Sequence, residues 1–181
     1  MKFLKGCLIA LIFFIVVCVI GWLFLENNVI GNLASLNQKV EKSWEIYIAN
    51  LRDRNTGFTQ QGIENDSLKH YSESSNRLID SKDSQKELEL NEYKFNKIAI
   101  SNNLQSSLND KLNSSLDNYN QAVRDYNVYR VRFPNSIIAR RMNFRKSYKY
   151  FEIRYGIDNE KVMERKQKVE NWIKNGGAYP E

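Results

Sequence analysis

Between Gly6 and Leu25 the chain reads GCLIALIFFIVVCVIGWLFL, with no charged side chain. Wound as a helix, twenty residues rise about 30 Å, the thickness of a bilayer's hydrocarbon core. Trp22 lies near one end, where an amphipathic ring prefers the membrane interface. A cleaved signal peptide would have an apolar core of only about 7–15 residues and a small-x-small site after it, and no such site follows here. Lipidation would use Cys18, but the bulky Val17 precedes it and the apolar run continues to Leu25. The sequence therefore predicts a single-pass transmembrane anchor over 6–25, behind a short basic N-terminus over 1–5. Lys2, Lys5 and the terminal amine precede the run, whereas no basic residue follows it until Lys39. Positive charge stays on the cytoplasmic side, so the rest of the chain is expected outside the cytoplasm.

That remainder reads as helix. The 181 residues include only 8 Gly and 2 Pro, too few turn formers for a β fold of many short strands. Both cysteines, Cys7 and Cys18, fall in the apolar run, which leaves the remaining chain without a disulfide or a thiolate metal site. The single histidine, His70, is expected to face solvent on a helix. After a short link, 26–32, the apolar residues Leu33, Leu36, Val40, Trp44, Tyr47, Ile48 and Leu51 step by three and four, a helical period. DRNTG, residues 53–57, is expected to end that helix. A thinner stripe, Leu68, Tyr71, Ser75, Leu78 and Ile79, predicts a second. A third runs from about Ser84 to Pro134, roughly 70 Å if SNN at 101–103 does not break it.

Within the third segment Leu112, Tyr119, Tyr126 and Phe133 recur every seven residues, the step that keeps a stripe on one face of packed helices. Together with Trp44 they are expected to form a structural seam. Asn120 and Asn127 each follow a seam tyrosine and are read as buried asparagines that set helix register, the bland alternative being that both face water. Pro134 lacks an N–H and disfavours helix at Phe133, so the helix should stop there. A last helix is expected around Val162, Val169 and Trp172, giving a helical-bundle domain over 33–174 and a flexible tail over 175–181. The predicted fold class is all-α, an N-terminal transmembrane helix followed by an antiparallel bundle of long helices.

Chemistry is sparse. From Arg124 to Arg154 nine basic residues face two acidic ones, Asp125 and Glu152, an excess of seven that accounts for the whole-chain charge of +6. Arg130, Arg132, Arg140, Arg141, Arg145, Lys146 and Lys149 are the candidate lipid- or partner-binding residues. Phe144, Tyr148, Tyr150 and Phe151 interleave, as side chains that insert among headgroups or stack on bases would. The bland alternative is a solvated basic face whose aromatics complete the core. Asp66, Glu73, Asp80, Asp83, Glu87, Glu89 and Glu92 could be pictured as acid–base pairs. With no phosphate-binding loop, Cys/His cluster or nucleophile motif beside them, they read as solvated helix sides. No catalytic residue, cofactor or metal is expected.

Three stretches carry a resemblance. VEKSWEIYIANLRDR has the spacing V-x(3)-W-x(6)-L-x-x-R. YNQAVRDYNVYRVRFPNSIIA, from Tyr119 to Ala139, follows Y-N-x-A-V-x-x-Y-N-x(5)-F-P-x(4)-A, and NFRKSYKYFE closes with F-x(5)-Y-F-E. These stretches are similar to the LemA family of bacterial membrane proteins. NTGFTQQGI stands where that family has D-L-I-P-N-L, EYKFNK only echoes its Tyr-Pro-x-Leu, and Leu116 replaces an arginine. The resemblance is thus to a divergent member with a longer tail. It implies helices in an antiparallel bundle on an anchor in the bacterial inner membrane, with no established activity. It also implies a body in the cytoplasm, against the charge count. The expected role is a membrane-anchored, non-enzymatic scaffold or adaptor whose partner is another membrane or envelope protein. Anionic lipid is the alternative partner, ahead of nucleic acid, and homo-oligomers are compatible with the seams.

Overall fold

The structure is a computed structural model. It describes residues 2–60, 65–81, 85–102 and 108–175. Six helices follow in order: α1 Lys2–Gln60, α2 Asp66–Ile79, α3 Gln85–Ser101, α4 Asn109–Val131, α5 Asn135–Arg141 and α6 Glu160–Asn175. No strand occurs among the described residues, but the chain from 144 to 159 is extended or turned rather than helical.

Three boundaries differ from the sequence reading. Residues 26–32 are not a link, because α1 passes through them unbroken. Gly31 costs about 1 kcal/mol in a helix interior, but Val29 and Leu33 on either side are buried and offset it. Nor does α1 stop at 53–57. Arg54 and Asn55 are buried there and bonded inward, so packing overrides the local turn preference. The expected helix over 84–133 is two helices, α3 ending at Ser101 and α4 starting at Asn109. The expected tail falls, from residue 176 on, outside the described residues, as does Asp83.

The contacts divide the chain into two compact units. The first comprises 1–41 and 121–149, and the second 42–120 and 150–181. In the first, every residue of α1 from 11 to 25 is exposed. Burial begins at Glu26 and continues at Val29, Leu33 and Val40, a stripe at helical spacing. Ala122, Val123 and Tyr126 of α4, Ile138 and Ala139 of α5, and Tyr148 complete this core. Asn32 donates to the Tyr129 hydroxyl at 3.1 Å, and Lys39 meets Asp125 at 3.2 Å, so α1 and α4 run antiparallel here. Past Val131, Asn135 donates its amide to the Tyr129 carbonyl, satisfying one acceptor in the last turn of α4. α5 closes in a Schellman motif. Asn143 takes positive φ (55°), Phe144 N–H reaches the Ala139 carbonyl and Asn143 N–H reaches that of Arg140.

In the second unit α2 and α3 form a hairpin around Leu68, Phe95 and Ala99, with Phe58, Tyr71 and Ile98 packed against them. Asn65 caps α2 by accepting from Leu68 N–H, and Asp66 in the first turn and Arg77 in the last complement the helix dipole. The larger core gathers Tyr47, Leu51, Leu88, Leu112, Leu116, Tyr119, Phe151, Ile153 and Tyr155. α6 buries no residue. It lies along α3 through ion pairs Lys97–Glu160 (3.1 Å), Lys166–Glu89 (2.6 Å) and Lys86–Glu170 (2.5 Å).

Candidate functional site

An extended chain with no strand beside it must find other partners for its amides and carbonyls. Here asparagines supply them. In the second unit Asn113 donates to the Tyr155 carbonyl at 3.1 Å while its oxygen accepts from Tyr155 N–H at 2.9 Å. Asn120 does the same to Phe151, at 2.8 and 3.0 Å. In the first unit Asn127 clamps Tyr148, at 2.9 Å both ways. A carboxamide carries one acceptor and two donors, so it can mimic the edge of a neighbouring strand. Asn120 and Asn127 therefore read a returning extended chain, not the helix expected from their heptad positions. The turn that follows is held the same way. Asn159 brackets Arg154, and Asn96 accepts from Gly156 N–H at 2.9 Å. Gly156 has φ +82°, and a Cβ there would come within 2.9 Å of the Asn109 amide.

Tyr119 and Tyr126 are buried, as is Leu112, and Trp44 is half-buried against Tyr119 with ring centroids 4.9 Å apart. Phe133 departs from this line and is 81% exposed. α4 has ended two residues earlier, so the seven-residue step no longer selects a face. Pro134 stands at the N-cap of α5 rather than at the end of the seam.

Behind the clamps of the second unit lies a buried polar network. Arg54 donates to both oxygens of Glu92, at 2.6 and 3.1 Å, and both residues are almost wholly buried, at 1% and 0% exposure. The guanidinium also reaches Asn55, at 2.7 Å, and lies 4.0 Å from the centre of the Phe95 ring. Tyr155 donates to Glu92 at 3.1 Å, and its hydroxyl meets that of Tyr47 at 2.6 Å. Burial, and then the charge of Glu92, push both phenols well above their ordinary range. Burial pulls Arg54 down, but Glu92 and the two tyrosines more than offset it and hold the cation. Glu89 is likewise buried, accepting from Lys166 and from Glu152 N–H. Glu89 and Glu92 are therefore not solvated helix sides. Asp66, Glu73, Asp80 and Glu87 are exposed, as is His70.

The seven candidate basic residues all fall in the first unit. Arg132, Arg140, Arg141, Arg145, Lys146 and Lys149 are exposed, whereas Arg130 is half-buried. Arg141 pairs with Glu26, the first residue after the apolar run, and Arg145 lies 4.5 Å over the Tyr148 ring. Of the interleaved aromatics only Tyr150 is exposed; Tyr148 and Phe151 are core residues and are not offered to bases or lipid. No group of acidic, histidine or cysteine residues suited to a metal occurs among the described residues.

Arg54 and Glu92 were the residues hardest to value from sequence. Arg54 closes the V-x(3)-W-x(6)-L-x-x-R spacing, the one signal that could have marked it. Glu92 carries no such mark.

The units define an all-helical chain whose first helix holds a stretch long and apolar enough, by length and composition, to cross a membrane. The chain belongs to the LemA family, whose model matches residues 10–165. No curated protein and no solved structure matches it. Residues 166–181, including most of α6, lie beyond the family match.

Proposed function

We propose that the chain is a membrane-anchored, non-enzymatic scaffold or adaptor that binds another membrane or envelope protein. The observation that carries this reading is α1 itself. From residue 11 to 25 it is apolar and exposed on every side, and the same helix continues into packed structure. Anything held by that structure is therefore kept near a bilayer. The carboxylates best placed for acid–base work support the non-enzymatic reading, because Glu92 is bonded by Arg54 and Tyr155, and Glu89 by Lys166. Photo-crosslinking from exposed positions of the body in intact membranes should capture one defined membrane or envelope protein. Capture of lipid alone would refute the adaptor role.

The second reading, binding of anionic lipid, is favoured by one observation: the exposed basic residues fall in the same unit as the apolar run. The charge asymmetry around the apolar run supports a body outside the cytoplasm, against what the family resemblance implies. Protease added to spheroplasts should then digest it, and full protection until lysis would place it inside.

A further inference from the structure

The turn between α4 and α5 exposes apolar side chains outside the apolar run. Val131, Phe133 and Ile137 are all more than half exposed, within seven residues. Arg132 and Arg140 stand exposed beside them, with no ion pair to a carboxylate among the described residues. The height of this turn on α1 is set by two contacts. Arg141 pairs with Glu26, the residue after the apolar run, and Tyr129 bonds Asn32.

Asn32 lies seven residues beyond Leu25, or about 10.5 Å along α1. Val131, the last residue of α4, lies two residues beyond Tyr129, and because α4 runs antiparallel this brings it back by about 3 Å. Val131 is thus about 7–8 Å above the end of the apolar run, and the turn at Phe133 follows it. The headgroup layer on each side of a bilayer's hydrocarbon core is about 5–8 Å deep.

We propose that the α4–α5 turn is a second membrane contact. Val131, Phe133 and Ile137 enter the headgroup layer of the leaflet from which α1 emerges, and Arg132 and Arg140 meet lipid phosphates. The inference rests on the reading of residues 6–25 as a membrane anchor. An apolar wedge flanked by arginines suits this layer, which accepts aromatic and aliphatic side chains and offers anionic oxygens. Glu26 would otherwise bring a lone carboxylate to the same surface, and Arg141 neutralises it.

The test uses the full chain in nanodiscs containing lipids with a quencher near the headgroup, or along the acyl chain for the label at Cys18. A bimane label is placed singly on Cys18, on Phe133→Cys, on Ile137→Cys or on Gln38→Cys, with the other cysteines changed to serine. Cys18 is exposed and lies within the apolar run, so it reports the anchor independently. Gln38 is exposed on α1 about 20 Å beyond Leu25 and is the control in water. Labels at 133 and 137 should be quenched several-fold more than the label at 38. Quenching at Cys18 with equal signals at 133, 137 and 38 would overturn the wedge and leave the anchor standing. No quenching at Cys18 would overturn both. Arg132→Gln with Arg140→Gln should lower quenching at 133 in anionic discs and leave it unchanged in neutral ones. Equal quenching in anionic discs with and without the arginines would overturn the phosphate contact.

Discussion

Arg54→Met removes the cation of the buried network and keeps most of its volume. In the native chain Glu92 has two bonds from Arg54 and one from Tyr155, with almost no solvent. After the change one hydroxyl remains to solvate a buried carboxylate. Breaking a buried ion pair on one side costs about 3–5 kcal/mol. In a chain of this size each kcal/mol moves the melting temperature by about 2–4 °C, so the expected fall is roughly 6–20 °C. Circular dichroism of the detergent-solubilised full chain would measure it. Arg54→Met combined with Glu92→Leu removes both charges, leaving Asn55 short of two donors and Tyr155 still bonded to Tyr47. Losses of that neutral kind cost about 1–3 kcal/mol. The double variant should therefore melt above Arg54→Met. If Arg54→Met melted within about 2 °C of the native chain, or if the double variant melted lower than the single, the two charges would not depend on each other and the argument would fail.

Tyr119→Ala empties a fully packed aromatic site and should cost about 3–5 kcal/mol. An unchanged thermal midpoint would take the seam out of the core. Asn120→Leu strips both partners from Phe151 and should cost about 1–3 kcal/mol, with faster amide exchange at Phe151 before anywhere else in its unit; uniform exchange would argue against the clamp. The attachment of α6 should depend on pH. The hydrogen bond to Lys86 holds the Glu170 carboxyl below its ordinary value of 4.5, so that contribution is present above pH 4.5 and fades as pH falls further. Bonds to Glu170 and Glu160 raise Lys86 and Lys97 above 10.5, so theirs is complete below pH 10.5 and fades above it. Amide exchange in α6, corrected for its intrinsic pH dependence, should quicken below pH 4.5 while α3 holds. Parallel behaviour of α3 and α6 would show that the ion pairs do not hold α6 in place.

The helices were legible because their cause is local. The steps through Leu33, Val40, Tyr47 and Leu51 name a buried face on α1, and those residues are buried. Pro134 announced the end of α4 to within a few residues, for the covalent reason that it has no N–H. The clamps were half legible. Asn120 and Asn127 repeat with the seam, but a seven-residue step says which face an amide occupies and not what it meets. The missing signal lay in FEIRY, residues 151–155, where apolar and charged residues alternate with the period of an extended chain. Phe151, Ile153 and Tyr155 are indeed buried, and Glu152 and Arg154 exposed. The burial of Glu89 and Glu92 was not legible, because a carboxylate on an amphipathic helix looks the same in sequence whether water or an arginine meets it.

The two clamps of the second unit act as a gauge of chain length. Asn113 and Asn120 are seven residues apart, about 10.5 Å of helix. Tyr155 and Phe151 are four apart, with an extended reach of about 13 Å, so the returning chain spans the gap with little slack. Four is also even, so both clamped residues turn the same way, into the core. Deleting one residue between them would shorten the reach to about 10 Å and point one of the two aromatics at solvent. Inserting one would reverse the same face and bulge the chain away from its asparagines. Family members that keep both clamps should therefore hold the number of residues between the clamps constant.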